Sequence, residues 1–366
     1  MNAVMLVAGR EIRSQVRSKG FVIGLLVTVL VMVGLTYAPK VFGGPDSYKI
    51  GLVASERLQL PGDVEVEWVE YPAEEPARRA VLAGEVDAVL VDGARVLTEN
   101  QIDDRLALML QTAHREAQIA AAGVRITPLV MEALSPDARY ADTRGDIAFV
   151  LVLVLFMLIF GTPMMVAMGV VEEKSSRIVE ILFAAVRPWQ LLAGKVVGLG
   201  VIGLINLVVI VGAGLAGATA SGLAVDFPPG MAGIVAGVVG WFVLGYLFFA
   251  LCAAALGALV SRQEEVGSVM TPLTTVVFAA YAVAFYAISE PTGTVARVVS
   301  FIPPFSAMVM PVRTAAAPTP LWEVLVAAAL MVAALVAMVV LGGKVYERAV
   351  LRTGARVRLR EVLGSR

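Results

Sequence analysis

Apolar residues in this chain gather into six long blocks instead of alternating with polar ones. The blocks run over 21–37, 147–171, 196–220, 231–260, 266–288 and 321–341. A helix needs about 20 apolar residues to cross a bilayer, so the pattern predicts six transmembrane helices. The four middle blocks hold no Asp, Glu, Lys or Arg, and Glu323 stands at the very start of the sixth, where headgroups can hold it. The first block is short and N-terminal, so a cleaved signal peptide is its rival. Eleven of its residues are Phe, Val, Ile or Leu, which favour insertion by roughly 3–7 kcal/mol together. Gly24, Thr28, Gly34 and Thr36 take some of that back. The charged segment before it is long for a signal n-region, and only Tyr37-Ala38-Pro39-Lys40 follows, with no small-x-small cleavage site. A retained signal anchor is the expectation.

Positive charge sets the expected orientation, because Lys and Arg favour the cytoplasmic side. Arg10, Arg13, Arg17 and Lys19 precede block 1; Lys174, Arg177, Arg187 and Lys195 separate blocks 2 and 3; Arg262 separates blocks 4 and 5. The 344–366 tail adds seven more cations. Of the short loops on the other side, the one between blocks 3 and 4 has no Lys or Arg, and the one between blocks 5 and 6 has only Arg297 and Arg313; a segment as long as 38–146 carries little topological weight. Both termini are therefore expected in the cytoplasm of a multi-pass plasma-membrane protein.

The 38–146 segment then falls outside, and its composition changes sharply, to 11 Lys or Arg against 19 Asp or Glu. Tyr48-Lys49-Ile50-Gly51-Leu52-Val53 and Val64-Glu65-Val66-Glu67-Trp68-Val69-Glu70 read as strands, as does Asp87-Ala88-Val89-Leu90-Val91 before the turn Asp92-Gly93. Segments 74–83 and about 102–122 read as helices, the second ending at Gly123. The fold class is thus an α-helical polytopic membrane protein, six transmembrane helices with a small α/β extracytoplasmic domain between helices 1 and 2. That domain suits substrate capture or gating as well as it suits a folded spacer. His114 is the only histidine in the chain and reads as a solvated residue on a polar helix, since a metal site wants several His or Cys.

Whole-chain composition agrees with the membrane assignment. Of 366 residues, 58% are hydrophobic and 16% charged, against about 45–50% and 25% in soluble domains. A soluble enzyme and a disordered chain are both excluded. The net charge of -1 gives no basic field for nucleic acid, and the single Cys252 can form no internal disulfide. No Gly-x-x-x-x-Gly-Lys-Ser/Thr run occurs: Gly194-Lys195-Val196 and Gly343-Lys344-Val345 lack the upstream Gly and the hydroxyl. Spans without mid-membrane charge also disfavour a carrier driven through a buried carboxylate. Asn206, Thr271 and Thr275 are polar candidates for a translocation path, although Asn206 is better suited to bonding a neighbouring helix. Pro163 and Pro272 can kink their spans, and the glycines of block 3 suit close helix packing or a dimer seam.

The segment between blocks 2 and 3 carries the most information. On a 3.6-residue repeat Ile178, Ile181, Leu182 and Ala185 share one face, while Glu173, Arg177, Glu180 and Arg187 fall on another. This predicts a short amphipathic helix, stopped by Pro188, with Trp189 suited to the interface. It serves either as an interfacial anchor or as a docking lever. A second amphipathic segment, with Met5, Ala8, Ile12 and Val16 on one face, precedes block 1 and reads as a membrane-lying anchor.

The run Glu172-Glu173-Lys174-Ser175-Ser176-Arg177-Ile178-Val179-Glu180-Ile181-Leu182, continued by Arg187-Pro188-Trp189-Gln190-Leu191-Leu192-Ala193-Gly194-Lys195, resembles the signature of type-2 ABC exporter permeases. It is nearest to the branch with Nat-type sodium and drug efflux permeases. Arg10-Glu11-Ile12-Arg13, Ser261-Arg262-Gln263-Glu264-Glu265 and Ile302-Pro303-Pro304-Phe305-Ser306 are similar to that branch as well. The likeness is strongest over 172–195 and weak in the outer domain. It implies that 1–20 is an elbow helix and that 172–190 is a coupling helix. Glu172, Glu173, Lys174, Arg177, Glu180 and Arg187 would dock an ABC ATPase subunit. It also implies a second permease copy, as homodimer or heterodimer. An outer re-entrant segment at about 299–312 would use Pro303, Pro304 and Phe305 as a gate. Within it 301–310 is apolar but too short and Pro-rich to span, so a re-entrant or surface-lying turn of non-helical backbone is the expectation, with a plain outer loop as the alternative. No cofactor is expected in this chain; ATP and magnesium belong to the partner ATPase. The function so implied is ATP-driven export of a small ion, drug or amphiphile, with no enzymatic activity in the chain itself. The alternative is a membrane-anchored sensor or scaffold whose outer domain binds a ligand.

Overall fold

Two helices open the chain, α1 (Ala3–Val16) and α2 (Lys19–Phe42). Ser18 separates them: its hydroxyl accepts the Phe21 N–H at 3.1 Å, an N-cap that starts α2 afresh, and the axes bend by 65°. The computed structural model describes residues 3–42, 47–55, 57–58, 60, 65–98, 104–123, 138–175, 186–220 and 227–350. They fall into two compact units, Ala38–Glu132 and the remainder, Met1–Tyr37 with Ala133–Arg366.

The Ala38–Glu132 unit is a small α/β sandwich. Its strands are β1 (Ser47–Val53), β2 (Glu65–Glu70), β3 (Ala88–Val91) and β4 (Arg95–Leu97), in the order β2-β1-β3-β4. β1 runs parallel to β2 and β3, and β4 closes the edge antiparallel to β3. Helices α3 (Glu74–Leu82) and α4 (Asp104–Ala121) supply the two outer layers. Alternation along the strands explains this: Tyr48, Ile50 and Ala88 pack with Leu106 and Leu110 of α4, while Val53, Val89 and Val91 pack with Ala77, Ala80 and Val81 of α3. A parallel sheet needs both faces covered. The three strands and two helices read from the sequence are all present, and β4 is the addition. At its turn Asp92 and Gly93 both take positive φ, as tight hairpins require. Ser55 secures the turn, accepting the Gly93 N–H at 2.7 Å. Ser55→Ala is expected to cost about 1 kcal/mol, read as faster hydrogen exchange at the Gly93 amide.

The other unit is built of helices, with no strand among its described residues. After α1 and α2 come α5 (Ala141–Ser175), α6 (Pro188–Ala220), α7 (Met231–Gly257), α8 (Val266–Ser289), α9 (Thr294–Val299), α10 (Pro303–Ala316) and α11 (Leu321–Val350). Among the described residues five helices are long and apolar enough to cross a membrane, and the bent α1–α2 pair makes a sixth if it counts as one span. Their shared core runs from Ala148 to Val171 on α5, through Phe242, Tyr246 and Phe249 on α7, to Met308–Val312 on α10. Glycines on α6 admit this packing. A Cβ on Gly200 or Gly203 would lie 2.7 Å from the Tyr246 or Phe242 ring, so the small-residue face expected on this span serves contacts within the chain.

The stretch expected as a non-helical turn is a helix. Pro303 and Pro304 occupy the first turn of α10, where a missing N–H costs nothing because no partner exists there anyway. α10 is buried from Ser306 to Arg313. An added Cβ on Gly245 would meet the Ala307 Cβ at 2.6 Å, and Gly245 lies halfway along α7. The segment therefore packs against the middle of α7 with helical backbone.

Candidate functional site

Charged side chains buried in the helical unit collect at its two ends. Arg144 near the start of α5 and Lys174 near its finish are both buried. They are separated by about 45 Å of helix at 1.5 Å per residue, close to a bilayer with its headgroup regions.

At the Lys174 end, α5 carries Glu173 and Lys174 in succession. Neighbours on a helix project about 100° apart, so the two reach different partners. Glu173 Oε1 lies 2.8 Å from Arg10 Nη2 of α1 and 3.2 Å from Lys195 Nζ of α6. Glu11 closes the cluster, 2.8 Å from Arg10 and 3.4 Å from Lys195. Lys174 turns the other way. Its ammonium donates to the Ala258 carbonyl at 2.6 Å and the Ala349 carbonyl at 2.9 Å, at the C-termini of α7 and α11. Tyr346 of α11 packs here as well; burial, and then the Glu173 charge, raise its pKa, so its hydroxyl stays protonated.

Glycine makes the approach of α1 possible. A Cβ on Gly194 would stand 2.5 Å from Val7 Cβ, and one on Gly198 would stand 2.8 Å from Glu11 Cβ. Two glycines four apart present a flat strip on which another helix can lie. α6 itself begins at Pro188, and the Arg187 N–H donates to Gln190 Oε1 at 3.1 Å, half of a capping box. Pro188 thus starts a helix, the role proline suits at a first helical position.

These contacts revise the expected docking set. Glu173 and Lys174 are 8% and 2% exposed and are spent on partners inside the chain, because α1, α6, α7 and α11 converge around them. Within the chain their side chains face neighbouring helices. Glu172 and Arg187 are exposed. Residues 172–175 continue α5 and 188–190 begin α6, so the expected helix over 172–190 is not separate at either margin. Its centre, 176–185, with Arg177 and Glu180, lies outside the described residues.

The remaining candidates are dispersed. Asn206 is half-buried on α6. Thr271 and Thr275 are exposed on α8, their hydroxyls donating to Gly267 and Thr271 carbonyls of the same helix. They continue into an aromatic stripe in which Phe278, Tyr281 and Phe285 of α8 meet Phe149, Phe156 and Phe160 of α5, with centroids 4.6–6.1 Å apart. Pro303, Pro304 and Phe305 are half-buried at the start of α10. His114 of α4 pairs with Gln118 at 3.0 Å.

Sequence reasoning missed the cluster at the opposite end. Arg313 of α10 donates through Nε to the Pro291 carbonyl at 2.8 Å, through Nη1 to Ser300 Oγ at 2.7 Å and through Nη2 to Glu323 Oε2 at 2.9 Å. Arg297 takes the other carboxylate oxygen at 2.8 Å and lies over the Trp322 ring. Glu323 is 2% exposed, buried between two arginines. The signal available was the pairing of one acid with two cations in a region otherwise poor in charge.

Two relatives match nearly end to end. The uncharacterized protein YhaP of Bacillus subtilis is 27% identical over 403 residues, covering 97% of this chain and 96% of its own. The uncharacterized protein MJ1024 of Methanocaldococcus jannaschii is 20% identical over 389 residues, covering 98% and 95%. The family model for ABC-2 family transporter proteins matches residues 19–344, which takes in every apolar block and the Glu173–Lys174 junction. The chain therefore belongs to the ABC-2 transporter family, as a multi-pass membrane component of an ABC transporter.

Proposed function

We propose that this chain is the permease subunit of an ATP-driven exporter. In this reading it has six spans, both termini in the cytoplasm and its α/β unit outside. Two copies, each with an ATPase subunit that binds ATP and magnesium, form the transporter. ATP-driven closure of the ATPases would push on the 172–190 segments and switch the pair between inward- and outward-facing states. The observation that carries the reading is the ion-paired junction of α1, α5 and α6, on the two helices that flank 176–185 in sequence, which would carry a push from there into the bundle. Uncharged spans and the α5–α8 aromatic stripe suit an amphiphile or drug as cargo; sodium rests on the resemblance.

The test is co-purification of an ATPase subunit with the chain in nanodiscs, followed by its ATP turnover. Glu172→Arg with Arg177→Glu is expected to reduce binding or stimulation by about tenfold or more, the scale of losing one to two charged interface contacts. Unchanged binding and unchanged stimulation would reject docking through 172–190. A parent chain that recruits no ATPase would favour the sensor or scaffold.

A further inference from the structure

We infer that Lys174 is a positioning residue for the transport cycle, the group that passes displacement of the 176–185 segment to the far helices α7 and α11. The inference rests on the permease reading above and adds to it a specific route. Lys174 stands in the last turn of α5, immediately before that segment. Its ammonium is bonded to the Ala258 and Ala349 carbonyls at 2.6 and 2.9 Å. Both carbonyls belong to helix C-termini, where the backbone dipole leaves partial negative charge. A lysine carries three donors on one nitrogen, so a single atom can hold two helix ends at once. The chain thus ties α5, α7 and α11 together at one point.

Apolar packing would hold three helix ends at lower desolvation cost, since a buried cation is expensive unless bonded. What the ammonium adds is direction: its bonds are short and break outright when α5 shifts by an ångström or two, whereas apolar contacts slide. Glu173, one residue earlier, makes the corresponding tie to α1 and α6. A displacement entering α5 from its C-terminus therefore divides there, through Glu173 to the near helices and through Lys174 to the far ones.

Lys174→Met retains the length and apolar stem while removing the ammonium; Lys174→Arg retains the charge. Both are compared with the parent in nanodiscs, together with the ATPase subunit that co-purifies with the parent, measuring subunit affinity, ATP KM, stimulated kcat and apparent Tm. Lys174→Met is expected to bind the subunit with parent affinity and parent ATP KM while losing stimulated kcat. The loss should fall within the 5- to 150-fold range of coupling between sites, and Lys174→Arg should restore at least half of it. Gly203→Ala, which crowds the Phe242 ring far from the junction, serves as the control for simple destabilisation. Parent-like kcat in Lys174→Met overturns the inference. So does a fall in kcat that only tracks Tm, as in the control. A parent that stimulates no ATPase sinks the permease reading itself, and is seen before any variant is compared.

Discussion

Glu323→Gln is expected to destabilise the helical unit by about 3–5 kcal/mol, the usual cost of stripping one partner from a buried ion pair. The carboxylate serves two guanidinium groups, and the two are unequal. Arg313 is 3% exposed and uses Nε, Nη1 and Nη2 on partners inside the chain. Arg297 is half-exposed and can turn to solvent. Loss of the Glu323 charge therefore strands Arg313 far more than Arg297. The Arg297→Gln change should cost no more than about 1 kcal/mol, as exposed pairs do. Removing both charges of the buried pair, in Arg313→Met with Glu323→Gln, should recover most of the loss, because no charge is then left buried without its counterion. The measurement is the apparent melting temperature of the detergent-purified chain for parent, singles and double. A Glu323→Gln variant that melts with the parent would show that the pair does not hold α10 in the bundle.

Gly194→Leu should lift α1 from α6. The atoms that an added Cβ would meet are Val7 Cβ at 2.5 Å and the Val4 carbonyl oxygen at 2.9 Å. Neither is the end of a flexible side chain, so the helix itself must move. Overpacking of a close contact costs about 1–3 kcal/mol, and here it is relieved by local opening. Opening would also separate Arg10 and Glu11 from Glu173 and Lys195. Ala8, 3% exposed against α6, gives the reporter: Ala8→Cys in a Cys252→Ala background, labelled with a maleimide. Labelling should rise by roughly tenfold for an opening shifted by about 1.4 kcal/mol. Gly212→Leu is the control, because a Cβ there meets nothing within 4 Å. Equal labelling in the two variants would refute the role of Gly194.

Much of this fold can be read along the chain. The strands β1 to β3 follow from alternation over a few residues, and the spans follow from blocks of 17 or more apolar ones. β4 escaped because three residues, Arg95 to Leu97, are too short a run to show a period. The α10 helix escaped for a different reason. Pro303 and Pro304 were weighed as breakers, yet proline is a breaker only inside a helix and a starter at its first turn. Which role applies depends on whether the residues after it are buried, and the neighbours that bury them lie on α5, α7 and α8.

The charged residues divide most sharply. Sequence by itself determined that Glu172, Glu173, Lys174, Arg187 and Lys195 gather beside the second and third spans, and that the chain is a polytopic membrane protein. Only the tertiary structure decided which of them face inward. Glu173 meets Arg10 across 163 positions, and Lys174 meets Ala258 and Ala349 across 84 and 175. Hydrophobic period is a local property, repeated every turn of the helix that carries it. The fate of a charge at a helix end is set by which other helix ends converge on it, and that is a property of the assembled bundle.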